Sequence, residues 1–132
     1  MRLSLQYEGK RSRIYALELD DGICPSVDFL EGLKRNSLPA HKSLVRRYSN
    51  HADQGPTHNP QHCLPVEGRE NLFEWKTHQS GGKRLVFFNL PDGVVVMTHG
   101  FHKGAVARTE YDKAERHRDE YKRQIQSGKG GR

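Results

Sequence analysis

The spacing of apolar and polar residues predicts a small sheet in the second half of the chain. Three segments have strand patterns, and glycine-containing turns at residues 80–82 and 91–93 separate them. The predicted strands are Leu72 to His78, Arg84 to Leu90 and Val94 to Phe101. Alternation divides the first strand between two faces: Phe73, Trp75 and Thr77 against Glu74, Lys76 and His78. The third strand is nearly continuous in apolar residues, which is typical of a strand covered on both faces.

Aromatic residues of these strands are assigned to the core: Trp75, Phe87, Phe88 and Phe101. Phe87 and Phe88 are adjacent, so their side chains must point to opposite faces of the sheet. We expect one of these two rings to be partly exposed, in a position where it could stack on a nucleobase.

Apolar residues at helical spacing predict two helices before the sheet and one after it. Pro25 suits a first helical turn, and the first helix is predicted to run to Lys34. The second helix begins at Pro39 and is stopped by Gly55 and the proline that follows it. Thr109 is a good N-cap for the last helix. The sparsely apolar face of that helix consists of Tyr111, Ala114, Arg118, Tyr121 and Ile125.

The chain as a whole is predicted to form one α+β domain. Arg13 to Leu19 alternates as a further strand, and residues 57–69 have little periodicity and are predicted to be a loop. A chain of 132 residues suffices for one modest core, and no segment is a clear domain boundary. We therefore predict a single domain at residues 1–126, followed by a flexible basic tail at 127–132.

The net charge of +6 favours a polyanionic partner. Basic side chains are set into the predicted strands and their ends as well as the tail, which indicates nucleic acid or the ribosome. The first residues lack the apolar region of a signal peptide, and no apolar run has the length of a membrane helix. With only two cysteines, the composition predicts a soluble cytoplasmic protein with reduced thiols and no membrane partner.

Several classes of site have no support in the sequence. The candidate metal ligands lie around the long loop: His51, His58, His62 and Cys63. His62 directly precedes Cys63, which is poor ligand spacing, and neither CxxC nor HExxH is present, so no metal is predicted. The chain also lacks GxSxG and the glycine-rich phosphate loops of nucleotide-binding folds, so no cofactor is predicted.

RNA cleavage without a metal requires groups that this sequence supplies. The ribose 2′-OH attacks the neighbouring phosphate, which needs a base, an acid for the leaving oxygen, and cations for the charge that develops. Lys, Arg, His and Tyr can fill these roles. Those available near the predicted sheet are Lys76, His78, Arg84, His99, His102, Lys103, Arg108 and Tyr111.

The order of these residues resembles the RelE/ParE toxin superfamily, in particular the HigB-like, phage-derived branch of type II toxin–antitoxin toxins. The matching features are Leu72-x-Glu74-x-Lys76, the basic start of the next strand at Lys83-Arg84, the His-Gly-Phe-His-Lys motif at His99 to Lys103, the helix from Thr109 to Tyr121, and the early helix at Pro25 to Leu33. The resemblance covers the chain from about Pro25 to Lys122. It implies a small twisted antiparallel sheet with two N-terminal helices packed on it and a C-terminal helix.

The resemblance also implies an activity and partners. The family's active members are mRNA interferases, most of which cut mRNA in the ribosomal A site. They are neutralised by a cognate antitoxin, here expected to be a small helix-turn-helix protein. The implied catalytic set is Lys76 as base or phosphate contact, Arg84 on the phosphate, His102 or Lys103 after the third strand, and Tyr111 on the substrate. His78, Lys83 and Arg108 are expected to bind RNA.

One departure from the family concerns His102, which stands where many relatives have a basic residue. Strict alternation places His99, Phe101 and Lys103 on one face and His102 on the other, so His102 and Lys103 can face one site only if the strand bends or ends near Gly100 or Gly104. Three functions remain open for this chain: an mRNA interferase, a ParE-like toxin that poisons gyrase, and a nucleic-acid-binding accessory protein that does not cleave RNA. Two of the candidate site residues also have a purely structural interpretation. Arg84 can form an ion pair with Glu74 across the hairpin, and Tyr111 can belong to the core.

Overall fold

The computed structural model describes residues 1–128, which form one mixed sheet flanked by helices. The strands of this part are β1 (Arg2–Glu8), β2 (Arg13–Glu18), β3 (Cys63–Pro65), β4 (Phe73–Thr77), β5 (Lys83–Leu90) and β6 (Val94–His102). The helices are α1 (Pro25–Asn36), α2 (Leu38–Gln54) and α3 (Ala107–Gln126), and a short 3₁₀ turn spans Gln79–Gly81. The α+β fold with two N-terminal helices and a C-terminal helix is thereby confirmed. Residues 129–132 of the predicted tail lie outside the described residues.

The strands follow the order β1-β2-β6-β5-β4-β3 across the sheet. Neighbours are antiparallel except β2 and β6, which pair in parallel from Arg13↔Val94 to Ala16↔Met97. This pair departs from the expected all-antiparallel sheet. Because β2 and β6 are separated in sequence by two helices and three strands, no tight turn requires them to run in opposite directions. The predicted loop at 57–69 contains the short edge strand β3.

Apolar residues on the two faces of the sheet form two cores. Helices α1 and α2 cover the face that carries Trp75, Leu85 and Phe87. Helix α3 covers the other face, which carries Phe88 and Phe101. The prediction that Phe87 and Phe88 point to opposite faces is confirmed, but the expected partial exposure of one ring is wrong. Both rings are buried because helices cover both faces of β5.

A bulge in β6 changes which side chains meet which helix. Val86 lies opposite His99 and Phe87 lies opposite Met97, so Thr98 is the extra residue. Beyond the bulge, the side chain of His99 faces α3 and Gly100 lies beneath α1. A Cβ at Gly100 would collide with the ring of Phe29, so this glycine permits α1 to pack closely on β6.

Helix α3 begins earlier than its sequence pattern suggests. Val106 occupies the N-cap position and its side chain caps nothing, so the prediction of Thr109 as the N-cap is wrong. Ala107 and Arg108 both have good helix propensity, and they extend the helix by most of a turn. Within residues 1–128, no helix has both the length and the apolar content needed to cross a bilayer.

Candidate active site

A small cleft of about 70 Å³ lies where the β4–β5 hairpin meets the end of β6. Its lining consists of Lys76, Thr77, His78, Gly82, Lys83, Arg84 and Lys103. Four of these are lysine or arginine, one is histidine, and none of the described lining residues is acidic. Such a concentration of positive charge in a concave surface attracts phosphate.

The pairing of strands brings the cations of the cleft together. Lys76 lies opposite Arg84 across β4 and β5, so both side chains leave the same face of the sheet. The backbone N–H of Lys103 donates to the carbonyl of Gly82 at 3.1 Å, which holds the residue after β6 against the hairpin. Gly82 has φ +95°, and a Cβ there would lie 3.0 Å from Cδ of Lys103. The glycine therefore supplies both the turn and the space for Lys103.

Backbone carbonyls hold two of the lysines at the rim of the cleft. Nζ of Lys76 donates to the carbonyl of Pro60 at 3.4 Å, and Nζ of Lys83 donates to that of Ser80 at 2.7 Å. Neither lysine forms an ion pair with a carboxylate of the described residues. Each ammonium can therefore turn toward a bound anion at the cost of one weak or exposed hydrogen bond.

Glu74 lies beside this cleft, buried between the sheet and α3. Its carboxylate accepts a hydrogen bond from Nη1 of Arg84 and another, at 2.5 Å, from the hydroxyl of Tyr111. Burial, and secondly the hydrogen bond to Glu74, raise the pKa of Tyr111, so the phenol stays protonated at neutral pH. Glu74 thus orients Arg84 while leaving most of the guanidinium donors available.

Glu74 was part of the motif in the sequence but was not predicted as a site residue. Part of the signal was present, because alternation places Glu74 on the same face as Lys76. The register of β4 and β5 then sets Glu74 diagonally across from Arg84. The predicted ion pair of Arg84 with Glu74 is formed, and Tyr111 lies against Phe101 at the edge of the α3-side core. The ion pair is therefore confirmed, Tyr111 is half-buried and not part of the core proper, and both side chains remain beside the cleft.

A pair formed by His99 and Glu110 connects β6 to the first turn of α3. Nε2 of His99 lies 2.8 Å from a carboxylate oxygen of Glu110, and Nδ1 lies 3.3 Å from the hydroxyl of Thr98. Burial lowers the pKa of His99, and Glu110 acts in the opposite direction. Because the imidazole is almost fully buried, it positions α3 and does not face the cleft.

The structure brings together most of the predicted site. Lys76, Arg84 and Lys103 share the cleft with the predicted RNA-binding residues His78 and Lys83. Tyr111 joins this group through Glu74. Two residues lie elsewhere. The exposed ring of His102 lies against Phe29 of α1 with centroids 5.5 Å apart, and Arg108 is exposed on the first turn of α3. The bend that would bring His102 to the cleft is absent, and the roles of all these residues stay predictions.

The candidate metal ligands of the sequence lie at the end of α2 and in the loop after it. In residues 1–128, no three His, Cys, Asp or Glu side chains are placed to hold a metal ion. His51 is buried and accepts a hydrogen bond from the indole N–H of Trp75 at 3.2 Å. Cys63 is a free thiol whose pKa is raised to about 11 by burial.

Comparison with known proteins identifies one family. Residues 28–122 match the family described as phage derived protein Gp49-like (DUF891). The matched segment covers more than half of the chain and includes every residue that lines the cleft. No curated protein matches the chain.

Proposed function

The chain belongs to the phage-derived Gp49-like family, and on that premise we propose that it is the toxin of a type II toxin–antitoxin system, an endoribonuclease that cuts mRNA. The proposal is supported by the family match and by the resemblance of the ordered motif to HigB-like toxins. The observation that carries it is the cleft in which Lys76, Arg84 and Lys103 converge without an acidic neighbour in the lining.

The proposed reaction is transfer of a phosphodiester to the ribose 2′-OH. The 2′ oxygen forms a bond to phosphorus and loses its proton to a base, while the bond from phosphorus to the 5′ oxygen breaks and that oxygen takes up a proton. The products are a 2′,3′-cyclic phosphate and a 5′-OH. Arg84 and Lys103 would stabilise the charge on the phosphate, and Lys76 would contact the same phosphate or accept the 2′ proton.

Arg84 can fulfil this role without leaving its ion pair. A guanidinium has five N–H donors, and Glu74 engages Nη1. The carboxylate holds the side chain in one orientation, so less rotamer freedom is lost when a phosphate binds. Tyr111, which is fixed to the same carboxylate, would support that orientation from α3.

Analysis of RNA ends tests the proposal. Wild-type protein added to a translating extract should cut mRNA and leave 2′,3′-cyclic phosphate and 5′-OH ends. A Lys76→Gln, Lys103→Gln double variant should leave the mRNA intact, and a His102→Gln variant, altered outside the cleft, should cut it. If the wild-type protein leaves mRNA intact while it blocks DNA supercoiling by gyrase, the chain is a ParE-like toxin instead. Tight RNA binding without cut ends would indicate the accessory protein.

The proposal implies partners within the cytoplasm: mRNA, the ribosome and a cognate antitoxin. Because the protein would be toxic alone, its gene should be tolerated only beside a reading frame for the neutralising protein. Co-expression with a neighbouring small helix-turn-helix protein should restore growth and yield a stable complex. Growth arrest that persists in the presence of every neighbouring reading frame would argue against a paired antitoxin.

A further inference from the structure

A second and larger cleft, of about 470 Å³, lies between the C-terminal half of α2 and the loop after it. Its polar lining includes Arg46, Arg47, Asn50, His51, Thr57 and His62. None of the described residues that line it is acidic. Arg46 is exposed and Arg47 is half-buried, and neither guanidinium forms an ion pair with a carboxylate in residues 1–128. The cleft is therefore a cationic concavity without an internal counter-ion.

The basic groups in this cleft repel one another electrostatically. Burial and the neighbouring Arg46 lower the pKa of Arg47. Burial, and then Arg47 and His78, lower the pKa of His62. Groups of like charge held together in this way favour the binding of an anion between them, because the anion relieves the repulsion.

The second cleft is adjacent to the first through the backbone of β4. Nε of Arg47 donates to the carbonyl of Lys76 at 3.1 Å, and the side chain of Lys76 lines the first cleft. His62 lines the second cleft and lies near His78, which lines the first. The two basic clefts are therefore close enough for one strand to reach both.

The neutral groups of the second cleft are mostly donors. Since Nδ1 of His51 accepts from Trp75, the neutral imidazole carries its proton on Nε2 and is a donor there. Asn50 and Thr57 add an amide and a hydroxyl. The indole of Trp75 is 1% exposed, so it offers no surface for base stacking. This composition suits the sugar–phosphate backbone.

We propose that the cleft lined by Arg46, Arg47 and His62 binds a phosphodiester of the same single-stranded RNA, outside the scissile position. The identity of the strand rests on the proposed function, whereas the anion site follows from the cleft itself. The site would increase affinity for longer RNA and add to its salt dependence without adding sequence preference.

Binding of uncleavable oligoribonucleotides of two lengths, with 2′-O-methyl riboses, tests the proposal. The short oligonucleotide fills only the first cleft, and the long one extends beyond it on both sides. An Arg46→Gln, Arg47→Gln variant should bind the long oligonucleotide about tenfold more weakly at 150 mM salt and lower the slope of log K against log salt by about 0.7, the contribution of one phosphate. Its affinity for the short oligonucleotide should not change. If the double variant folds poorly, Arg46→Gln alone replaces it in the test, because it alters only an exposed side chain. This single variant should show about half of the slope change.

A Lys34→Gln, Arg35→Gln variant is the matched control. It also removes two adjacent cations from an exposed helix position, but on α1 and away from both clefts. If both double variants weaken long-RNA binding equally, the second cleft is not a phosphate site and only net charge matters. If the wild-type protein cuts mRNA and the Arg46→Gln, Arg47→Gln variant binds the long oligonucleotide as tightly as the wild type does, this inference is overturned and the proposed function remains intact. Length-dependent binding that requires Arg46 and Arg47, but without cleavage, would support the phosphate site and reject the nuclease.

Discussion

The hydroxyl of Tyr111 donates a 2.5 Å hydrogen bond to the buried carboxylate of Glu74. This contact joins the first turns of α3 to the middle of β4, and the same carboxylate receives Arg84 from β5. A buried carboxylate is costly unless its oxygens are satisfied, so the three side chains form one unit. Changes to any of them should alter both the stability of the fold and the geometry of the cleft.

Replacement of Tyr111 by Phe should lower the free energy of unfolding by about 2 kcal/mol, because a buried charged acceptor loses one donor. Urea denaturation of the two proteins at pH 7 measures this difference. Tyr15→Phe is the control, since Tyr15 is buried in the same α3-side core and its hydroxyl makes no hydrogen bond within residues 1–128. Equal small effects of both substitutions would show that the Tyr111 hydroxyl contributes nothing specific.

Arg84 and Glu74 should be strongly coupled in a double-mutant cycle. Arg84→Gln leaves the Glu74 carboxylate buried without its cation and should cost about 3 kcal/mol. The Glu74→Gln, Arg84→Gln double variant should be more stable than the sum of the single effects predicts, by about 2 kcal/mol. Denaturant midpoints of the four proteins give the coupling energy. Strict additivity would mean that the ion pair is screened and independent of its surroundings.

Lys103 and His102 are adjacent in sequence but should differ in their effect on RNA cleavage. Lys103→Gln should lower kcat/KM about 100-fold, since it removes a cation from the cleft. His102→Gln should retain close to the wild-type rate, because its ring packs against Phe29 on the other face. Single-turnover cleavage of a defined mRNA compares the two variants. A larger loss with His102→Gln would place the acid of the reaction on that histidine after all.

Gly100→Ala should destabilise the protein by about 1–3 kcal/mol, because the new methyl group collides with the ring of Phe29. Phe29→Ala in the same chain should remove the collision, so Gly100→Ala should cost much less in that background. Gly32→Ala is the control on α1, where an added Cβ meets no atom within 4 Å and should stabilise the helix slightly. Thermal unfolding of these variants decides whether close contact of α1 with β6 is the reason for the glycine.

Stability should fall as the pH drops below about 6.5, partly because of His51. Burial holds the pKa of His51 below its ordinary value of 6.5, so the unfolded chain binds a proton on this ring at a higher pH than the folded chain does. The stabilisation is complete above the unfolded pKa and is lost as the pH falls through the window below it, by at most about 1.4 kcal/mol per pH unit.

Urea denaturation between pH 7.5 and 5.5 measures this slope. His51→Asn keeps an acceptor for Trp75 but cannot take up the proton, so the slope should decrease. His58→Asn, in the exposed loop, leaves the buried imidazole in place and should keep the wild-type slope. Burial also lowers the pKa of His99 and His117, so part of the slope should remain in the His51 variant.

Local patterns in the sequence were sufficient for most of the fold. Alternation and glycine-containing turns located β4, β5 and β6, and prolines located the starts of α1 and α2, because these signals act within a few residues. Edge strands β1 and β3 were missed. The first is mostly exposed and the second has three residues, so neither has a strong apolar pattern.

The sequence by itself determined the α+β class and the basic character of the hairpin, since alternation and turn residues act over a few positions. The register that sets Lys76 opposite Arg84 came from the structure, where the 3₁₀ turn at Gln79–Gly81 joins the two strands. Alternation had placed Lys103 and His102 on opposite faces, but only the tertiary structure decided which of these faces borders the cleft. It also decided that Glu74 is a buried partner of Arg84 and Tyr111, and that a second cationic cleft adjoins the first. These outcomes depend on the bulge at Thr98, on the parallel pairing of β2 with β6, and on the packing of α3. Such long-range contacts join residues far apart in sequence, where periodicity carries no information about which face meets which helix.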